Sequence, residues 1–221
     1  MADFAKRSLS LEDLREEYRR GALDEANCET NPFRQFESWL GDAQAFHLKE
    51  PTAMTLGTAT LDGKPSGRIV LLKEVTGNGF VFYTNYDSRK GQEIGANPFV
   101  SLTFYWGELE RQVRIEGTAS QVDREKSERY FRKRPRGSRL GAIVSNQSTP
   151  LPGRAPLEAK LREMEEVYKD TDDIPPLKNW GGYSVEPTTF EFWQGRPNRL
   201  HDRLVYTKEG GNGWRLGRLS P

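Results

Sequence analysis

The hydrophobic pattern changes period along the chain. Phe33, Phe36 and Leu40 recur at helical spacing with Trp39 alongside, and Asn31-Pro32 places an N-cap and a first-turn proline ahead of them. From Ala53 the period becomes two. Residues 53–60 read as a strand, and Leu61-Asp62-Gly63-Lys64 as a turn in which Asp-Gly is a strong hairpin signal. Arg68-Ile-Val-Leu-Leu-Lys73 is an unbroken apolar run between two cations, which predicts a strand buried on both faces. Gly77-Asn78-Gly79 makes the next turn and residues 80–84 the third strand. Ser88 is a candidate N-cap for a helix ending near Asn97-Pro98. Residues 99–106 and 110–121 form a further strand pair around Gly107-Glu108. On the second of these, Gln112, Arg114 and Glu116 share one face and Arg111, Val113 and Ile115 the other.

Helical patterns follow at 123–134 with Asp123 as N-cap, at 138–144 starting on Ser138, and at 156–168 starting on Pro156. Strand signals return at 182–187, 189–194, 204–207 and 214–219, with Gly210-Gly211-Asn212-Gly213 as the last hairpin turn. The first residues are polar. Ser10 and Asp13 form a capping-box-like start for a short helix through Arg20 whose apolar face (Leu11, Leu14, Tyr18) is thin. Residues 1–30 are therefore expected to be a partly mobile arm, and 31–221 a single domain. Serial antiparallel strands with few helices predict a mainly β fold with flanking helices (α+β), a barrel or sandwich and not a doubly wound sheet.

Composition narrows the setting. With 33 basic and 32 acidic residues in 221, the net charge is +1, so any anion site must be local and nothing global points to nucleic acid. One cysteine, Cys28, and two histidines, His47 and His201, exclude an intrachain disulfide and argue against a structural zinc site. No apolar run approaches a membrane span and no signal-peptide core precedes the fold, so the expected location is the cytoplasm.

The candidate chemistry is anion binding. Ser88-Arg89-Lys90 at a helix start combines a hydroxyl, two cations and free amides, a ready phosphate site. Tyr130, Arg134 and Ser138 span a helix end and the next helix start and can hold a second phosphate; the basic run around them reads equally as a nucleic-acid patch. Arg199, His201 and Arg203 are spaced by two and share a face if the segment is extended. The plainer reading is a solvated loop with Asp202 paired to an arginine. Arg68 and Lys73, five residues apart, suit opposite ends of a long ligand or two ligands. The chain has no Walker A loop, no Gly-x-Ser-x-Gly elbow and no Gly-x-Gly-x-x-Gly fingerprint. A bound cofactor would account for many anion sites without a strong catalytic dyad.

These residues carry a resemblance. Arg68-Ile-Val-Leu-Leu-Lys73, Tyr83-Thr-Asn-Tyr-Asp-Ser-Arg-Lys-Gly91, Phe104-Tyr-Trp106, Arg111-Gln-Val-Arg114, Ser145-Asn-Gln-Ser148, Glu191-Phe-Trp-Gln-Gly195 and Arg199-Leu-His-Asp-Arg203 resemble the pyridoxamine 5′-phosphate oxidase family, in that family's order and over nearly the whole chain. The resemblance implies an antiparallel FMN-binding split β-barrel that dimerises with FMN at the interface. It implies an FMN site of Arg68, Ile69, Val70, Leu71, Lys73, Tyr83, Thr84, Arg89, Lys90, Gln112, Gln147, Ser148, Trp193 and Arg203. The implied substrate site is Lys73, Tyr130, Arg134, Ser138, Arg199, Leu200 and His201, with an arm segment Arg15, Glu16, Glu17 and Tyr18. Arg199 and His201 would act at the reacting carbon. The implied reaction oxidises pyridoxamine or pyridoxine 5′-phosphate to pyridoxal 5′-phosphate, reduces O2 to hydrogen peroxide, and needs no metal. The alternatives are a related split-barrel flavin oxidase acting on another ring, and a protein that binds FMN or pyridoxal phosphate without turnover.

Overall fold

The computed structural model describes residues 17–211 and 213–221. In chain order its elements are α1 (Pro32–Ala45), β1 (Ala53–Ala59), β2 (Pro65–Leu71), β3 (Glu74–Val75), β4 (Phe80–Asn85), α2 (Arg89–Ala96), β5 (Phe99–Trp106), β6 (Arg111–Gln121), α3 (Arg124–Lys133), α4 (Arg136–Val144), α5 (Ala155–Val167), β7 (Trp180–Gln194), β8 (Asp202–Lys208) and β9 (Trp214–Arg218). The expected capping box at Ser10 and most of the helix after it lie outside the described residues; the described end of that helix, from Glu17 to Arg20, is not helical. Three helix starts read from capping residues are present, at Asn31, Ser88 and Asp123, the last without a side-chain cap bond. The Asn31 side chain accepts from the Phe33 N–H, and the Ser88 hydroxyl accepts from the Gly91 N–H.

Every pairing is antiparallel, and the sheet runs β2-β1-β5-β6-β7-β4-β3, with β8 added to β7 and β9 to β8. Two expectations change here. The strands do not follow in simple hairpin order, because β4 pairs along β7, far away in sequence. The run from Arg68 to Lys73 is not buried on both faces: β2 is an edge strand, and Ile69 is 65% exposed. A strand buried on both faces is β4 instead, in which Phe80, Val81, Phe82, Thr84 and Asn85 are buried.

The two C-terminal strand signals at 182–187 and 189–194 are halves of one long strand, β7. Its first half carries β4 and its second half β8. The register against β6 shifts at Glu116/Gly117, opposite Pro187. A bulge tolerates the proline and bends the strand, so the sheet curls into a half-barrel there. Gly117 is needed at the bulge, since a Cβ would lie 2.2 Å from the Glu186 carbonyl oxygen.

Helix α1 fills the half-barrel. Phe33 stacks on Phe80 (5.5 Å), Phe36 meets Phe80 and Phe104 (both 4.9 Å), and Trp39 meets Phe192 (5.3 Å). Each such ring taken from water contributes about 1.5–3 kcal/mol. A second, smaller core of Phe131, Leu140, Ile174 and Trp180 seats α3, α4 and α5 beside β4 and the start of β7. That layer builds one wall of the site.

Candidate active site

A cleft of about 1020 Å³ opens between β2, the end of β4, the first turn of α2 and the junction of α3 with α4. Arg68, Ile69, Val70, Leu71, Lys73, Tyr83, Thr84, Arg89, Lys90, Gln147 and Ser148 line it, as do Tyr130, Arg134 and Ser138. The structure thus brings together most residues of the implied FMN site with Lys73, Tyr130, Arg134 and Ser138 of the implied substrate site, including Arg68 and Lys73 from the two ends of one apolar run.

The α2 end is organised by Glu93. This carboxylate is buried and receives Arg68 (3.2 Å) and Arg89 (2.7 Å), with the Thr58 hydroxyl also donating to it. Burial alone would raise the Glu93 pKa, but the Thr58, Arg89 and Arg68 contacts outweigh it and hold the pKa below the usual range. Arg68 also donates to the Leu56 carbonyl (3.1 Å) and to Ser66 (2.7 Å), so its orientation is fixed. Lys90 is different. It is 8% exposed, and its ammonium meets only neutral oxygens: Gln147 Oε1 at 3.1 Å, Thr84 Oγ1 at 3.3 Å and Ser88 Oγ at 3.4 Å. Burial, then Arg68, lower its pKa. A buried cation without a carboxylate is costly unless an anion joins it.

The α3–α4 end repeats the theme. The rings of Tyr83 and Tyr130 stack at 3.9 Å, and Trp180 continues the stack 5.5 Å from Tyr83. The Arg134 guanidinium lies 4.7 Å from the Trp180 ring centre. Arg134 Nη1 is buried with no hydrogen-bond partner, and burial lowers the Arg134 pKa. Ser138 is not an N-cap as expected: α4 begins at Arg136 after Pro135, placing Ser138 inside the first turn. The other arginines of the basic run are paired with acids. Arg129 pairs with Glu125, Arg132 with Asp173, and buried Arg139 with Asp172 at 2.7 Å.

Gln112, Trp193 and Arg203 do not line the cleft, and neither do Glu17, Tyr18, Arg199, Leu200 and His201. Most of these cluster around the end of β7. Gln112, Trp193 and Arg203 are register neighbours across β6, β7 and β8. His201 lies 4.7 Å from the Trp193 ring, and Tyr18 meets both rings edge-on at 5.5 and 5.6 Å. Arg199, His201 and Arg203 do not share an extended face, because residues Pro197–Arg199 form a 3-10 turn with positive φ at Asn198 and Arg199. Arg203 is held by Glu191 (2.8 Å) and Asp202 by Arg196 and Arg218 (3.1 and 2.8 Å), so the acid–arginine pairing expected of a plain loop is present too. Arg15 and Glu16 lie outside the described residues.

The sequence reading missed Trp180, Lys133, Asn85 and Ser145 in the cleft and Arg196 beside His201. For Trp180, an aromatic at the start of a long strand was a usable signal. Arg196 gave none, since its backbone N–H reaches His201 Nδ1 (3.1 Å) only because the turn folds back.

Comparison with known proteins decides the family. The model of the pyridoxamine 5′-phosphate oxidase family matches residues 40–168, and that of the pyridoxine 5′-phosphate oxidase C-terminal dimerisation region matches 180–221. The chain belongs to the pyridoxamine 5′-phosphate oxidase family. The pyridoxine/pyridoxamine 5′-phosphate oxidase of Burkholderia multivorans is 54% identical over 214 residues, covering 96% of this chain and 99% of that protein. The enzyme of the same name from a Cyanothece species is 53% identical, covering 97% and 100%. Among solved structures, PhzG of Burkholderia lata, in complex with tetrahydrophenazine-1-carboxylic acid, is 30% identical with a TM-score of 0.84, covering 90% of this chain and 98% of that one. A pyridoxamine 5′-phosphate oxidase-related, FMN binding protein of Nostoc punctiforme, 16% identical with a TM-score of 0.70, shares the fold, covering 87% of this chain and all of that one. The fold is the split β-barrel of this oxidase family.

Proposed function

We propose that the protein is an FMN-dependent oxidase that converts pyridoxamine 5′-phosphate and pyridoxine 5′-phosphate to pyridoxal 5′-phosphate, with O2 as acceptor and hydrogen peroxide as product. One observation carries this reading. The cleft holds two separate cations that lack a protein counter-charge, the buried Lys90 at α2 and the half-buried Arg134 at the end of α3, whose Nη1 is buried without a partner. Two such groups suit two phosphates, one on the cofactor and one on the substrate. Lys90, Arg89, Thr84, Gln147 and Ser148 would hold the FMN phosphate, with the β2 edge along the rest of the flavin. Arg134, Tyr130, Ser138 and Lys73 would hold the substrate phosphate. When bound, FMN supplies the hydride acceptor and passes the electrons to O2. The chain's own work is anchoring and orientation, with binding energy at a remote phosphate used to fix the reacting carbon.

A homodimer completes the site in this reading. Ile69 on β2 and Leu200 beside His201 are 65% and 69% exposed. Exposed apolar side chains at both half-sites suit a face covered by a second copy. Gln112, Trp193 and Arg203 would then approach the flavin, and Arg199, Leu200 and His201 the substrate, from the partner. Among the described residues no helix is long and apolar enough to cross a membrane; together with the single cysteine this supports a cytoplasmic site of action.

The likeness to PhzG favours a second reading, a related flavin oxidase acting on another ring. The unpartnered Arg134 Nη1 argues for a phosphorylated substrate instead. The test is direct. The purified protein is expected to be yellow and to consume O2 with pyridoxamine 5′-phosphate, releasing ammonia and pyridoxal 5′-phosphate. A yellow protein without that turnover supports the second reading, and a colourless one that takes up no FMN rejects both.

A further inference from the structure

We infer that Glu110 is a positioning residue that latches the arm over the Trp193–His201 half-site; the inference rests on the proposed function, which places that half-site beside the substrate. Glu110 closes the turn between β5 and β6 in the left-handed region, at φ 54° and ψ 38°, where a side chain other than glycine or asparagine is uncommon. Its main chain is fully engaged, donating to the Gly107 carbonyl (2.9 Å) and accepting from the Gly195 N–H (2.8 Å). The strained conformation aims the carboxylate at the arm. Glu110 Oε2 accepts from the backbone N–H groups of Arg19 (2.8 Å) and Arg20 (2.9 Å). Two consecutive amides on one carboxylate oxygen form a charge-assisted grip that depends on no arm side chain.

The grip places Tyr18 against both Trp193 and His201. It also fits the backbone below: a Cβ on Gly195 would lie 2.7 Å from Tyr18, so the arm packs directly on the chain there. Further along, the arm has its own ties. Asp202 accepts from the Leu23 N–H (3.0 Å), and Arg218 donates to the Leu23 carbonyl (3.0 Å). Loss of the Glu110 carboxylate therefore frees only the segment that carries Tyr18.

The test uses the FMN-loaded enzyme and the variants Glu110→Gly, Glu110→Asn and Glu110→Gln. Glycine and asparagine suit the left-handed backbone and remove the grip, whereas glutamine keeps an acceptor oxygen in place. Limited trypsin digestion reads cleavage after Arg19 and Arg20, both of which have exposed side chains. The glycine and asparagine variants are expected to be cut about tenfold faster than wild type, with flavin content and melting temperature kept, and the glutamine variant more slowly than either. In steady state, KM for the phosphorylated substrate is expected to rise several-fold in the first two. Unchanged cleavage in the glycine variant overturns the latch, and faster cleavage with unchanged KM overturns its positioning role. A wild-type protein that does not turn over vitamin B6 phosphates fails the functional reading alone, and the cleavage comparison still decides the latch.

Discussion

Beside the Arg68 and Arg89 pairs to Glu93, the cleft keeps two cations unmatched, whereas the C-terminal half-site pairs the arginines around β8. Around β8 the arginines are matched to carboxylates: Arg203 to Glu191, Arg196 to Asp202, and Arg218 to Glu25 and Asp202. In the cleft, Lys90 has only neutral oxygens and one Arg134 nitrogen has nothing. Matched pairs hold their side chains in place before any ligand arrives. Unmatched buried cations leave a cost that a bound anion removes. The difference separates a preorganised wall from a ligand-completed pocket, and substitutions on the two sides should differ in kind as well as in size.

The largest effect is expected at Lys90. Lys90→Met removes a buried cation that destabilises the empty protein and that binds the ligand. FMN affinity is expected to fall by about 100-fold or more, corresponding to loss of one or two charge-assisted contacts of about 1.5–3 kcal/mol each. The melting temperature of the flavin-free protein is expected to hold or rise. Fluorescence titration with FMN and a thermal scan of the apoprotein check both arms. A lower apoprotein melting temperature would show that Lys90 is already satisfied by the protein and erase the contrast.

Arg134→Ala comes next. KM for pyridoxamine 5′-phosphate is expected to rise by about tenfold or more, since at least one charge-assisted contact is lost. FMN binding should stay, because Arg134 and Lys90 serve different phosphates in the proposed arrangement. Non-phosphorylated pyridoxine is expected to be a poor substrate for wild type and to suffer much less from the change. Equal losses on both substrates would reject the assignment.

These contrasts bear on what the sequence makes legible. Helices α1 and α2 were readable because Asn31 and Ser88 each make a local hydrogen bond to their own helix. Most of the cleft was readable through the family likeness, whose motifs lie on β2, on β4 and the start of α2, and after α4. The long-range facts were not. An apolar run such as that from Ile69 to Leu72 looks the same whether its cover comes from the same chain or from another copy, and periodicity cannot show that β2 is an edge. The pairing of β4 with β7 depends on the whole sheet. Ser138 was placed one turn too early in its helix because Pro135, not the serine, sets the start of α4. The lone carboxylate Glu110 carried no motif, and only the folded chain brings the Arg19 and Arg20 amides to it.

On the matched side the effects are smaller and divide within one segment. Arg199→Ala and His201→Ala are expected to retain FMN and to lower kcat/KM by about tenfold, as for a contact worth ~1.4 kcal/mol in the transition state. Arg203→Ala is expected to lose flavin affinity first. It leaves Glu191 with Arg114 at 3.2 Å as its remaining partner, so only a modest loss of melting temperature should accompany it. If all three variants lose stability together and keep full activity per FMN-loaded molecule, the segment is only a support.

The smallest expected effect is a pH dependence, and its sign follows from His201. The Nδ1 atom accepts the Arg196 N–H at 3.1 Å, so the neutral ring carries its proton on Nε2. Protonation would put a second hydrogen on Nδ1 and break that contact. Burial and then the Arg199 guanidinium lower the pKa, with Asp202 opposing them. A histidine with a lowered pKa adds stability that is fully present above its unfolded value of about 6.5 and is lost as pH falls through the folded value. In the proposed arrangement the neutral ring offers its Nε2–H to the substrate as a donor, because its Nδ1 lone pair is engaged by the Arg196 N–H. The rate is expected to stay level on descending from pH 8 past the ordinary imidazole value and to fall only below it. Arg199→Ala should move that acid limb upward by removing a positive neighbour. NMR titration of the His201 ring in wild type and in this variant checks the order; a His201 pKa above the ordinary value in wild type would refute the argument.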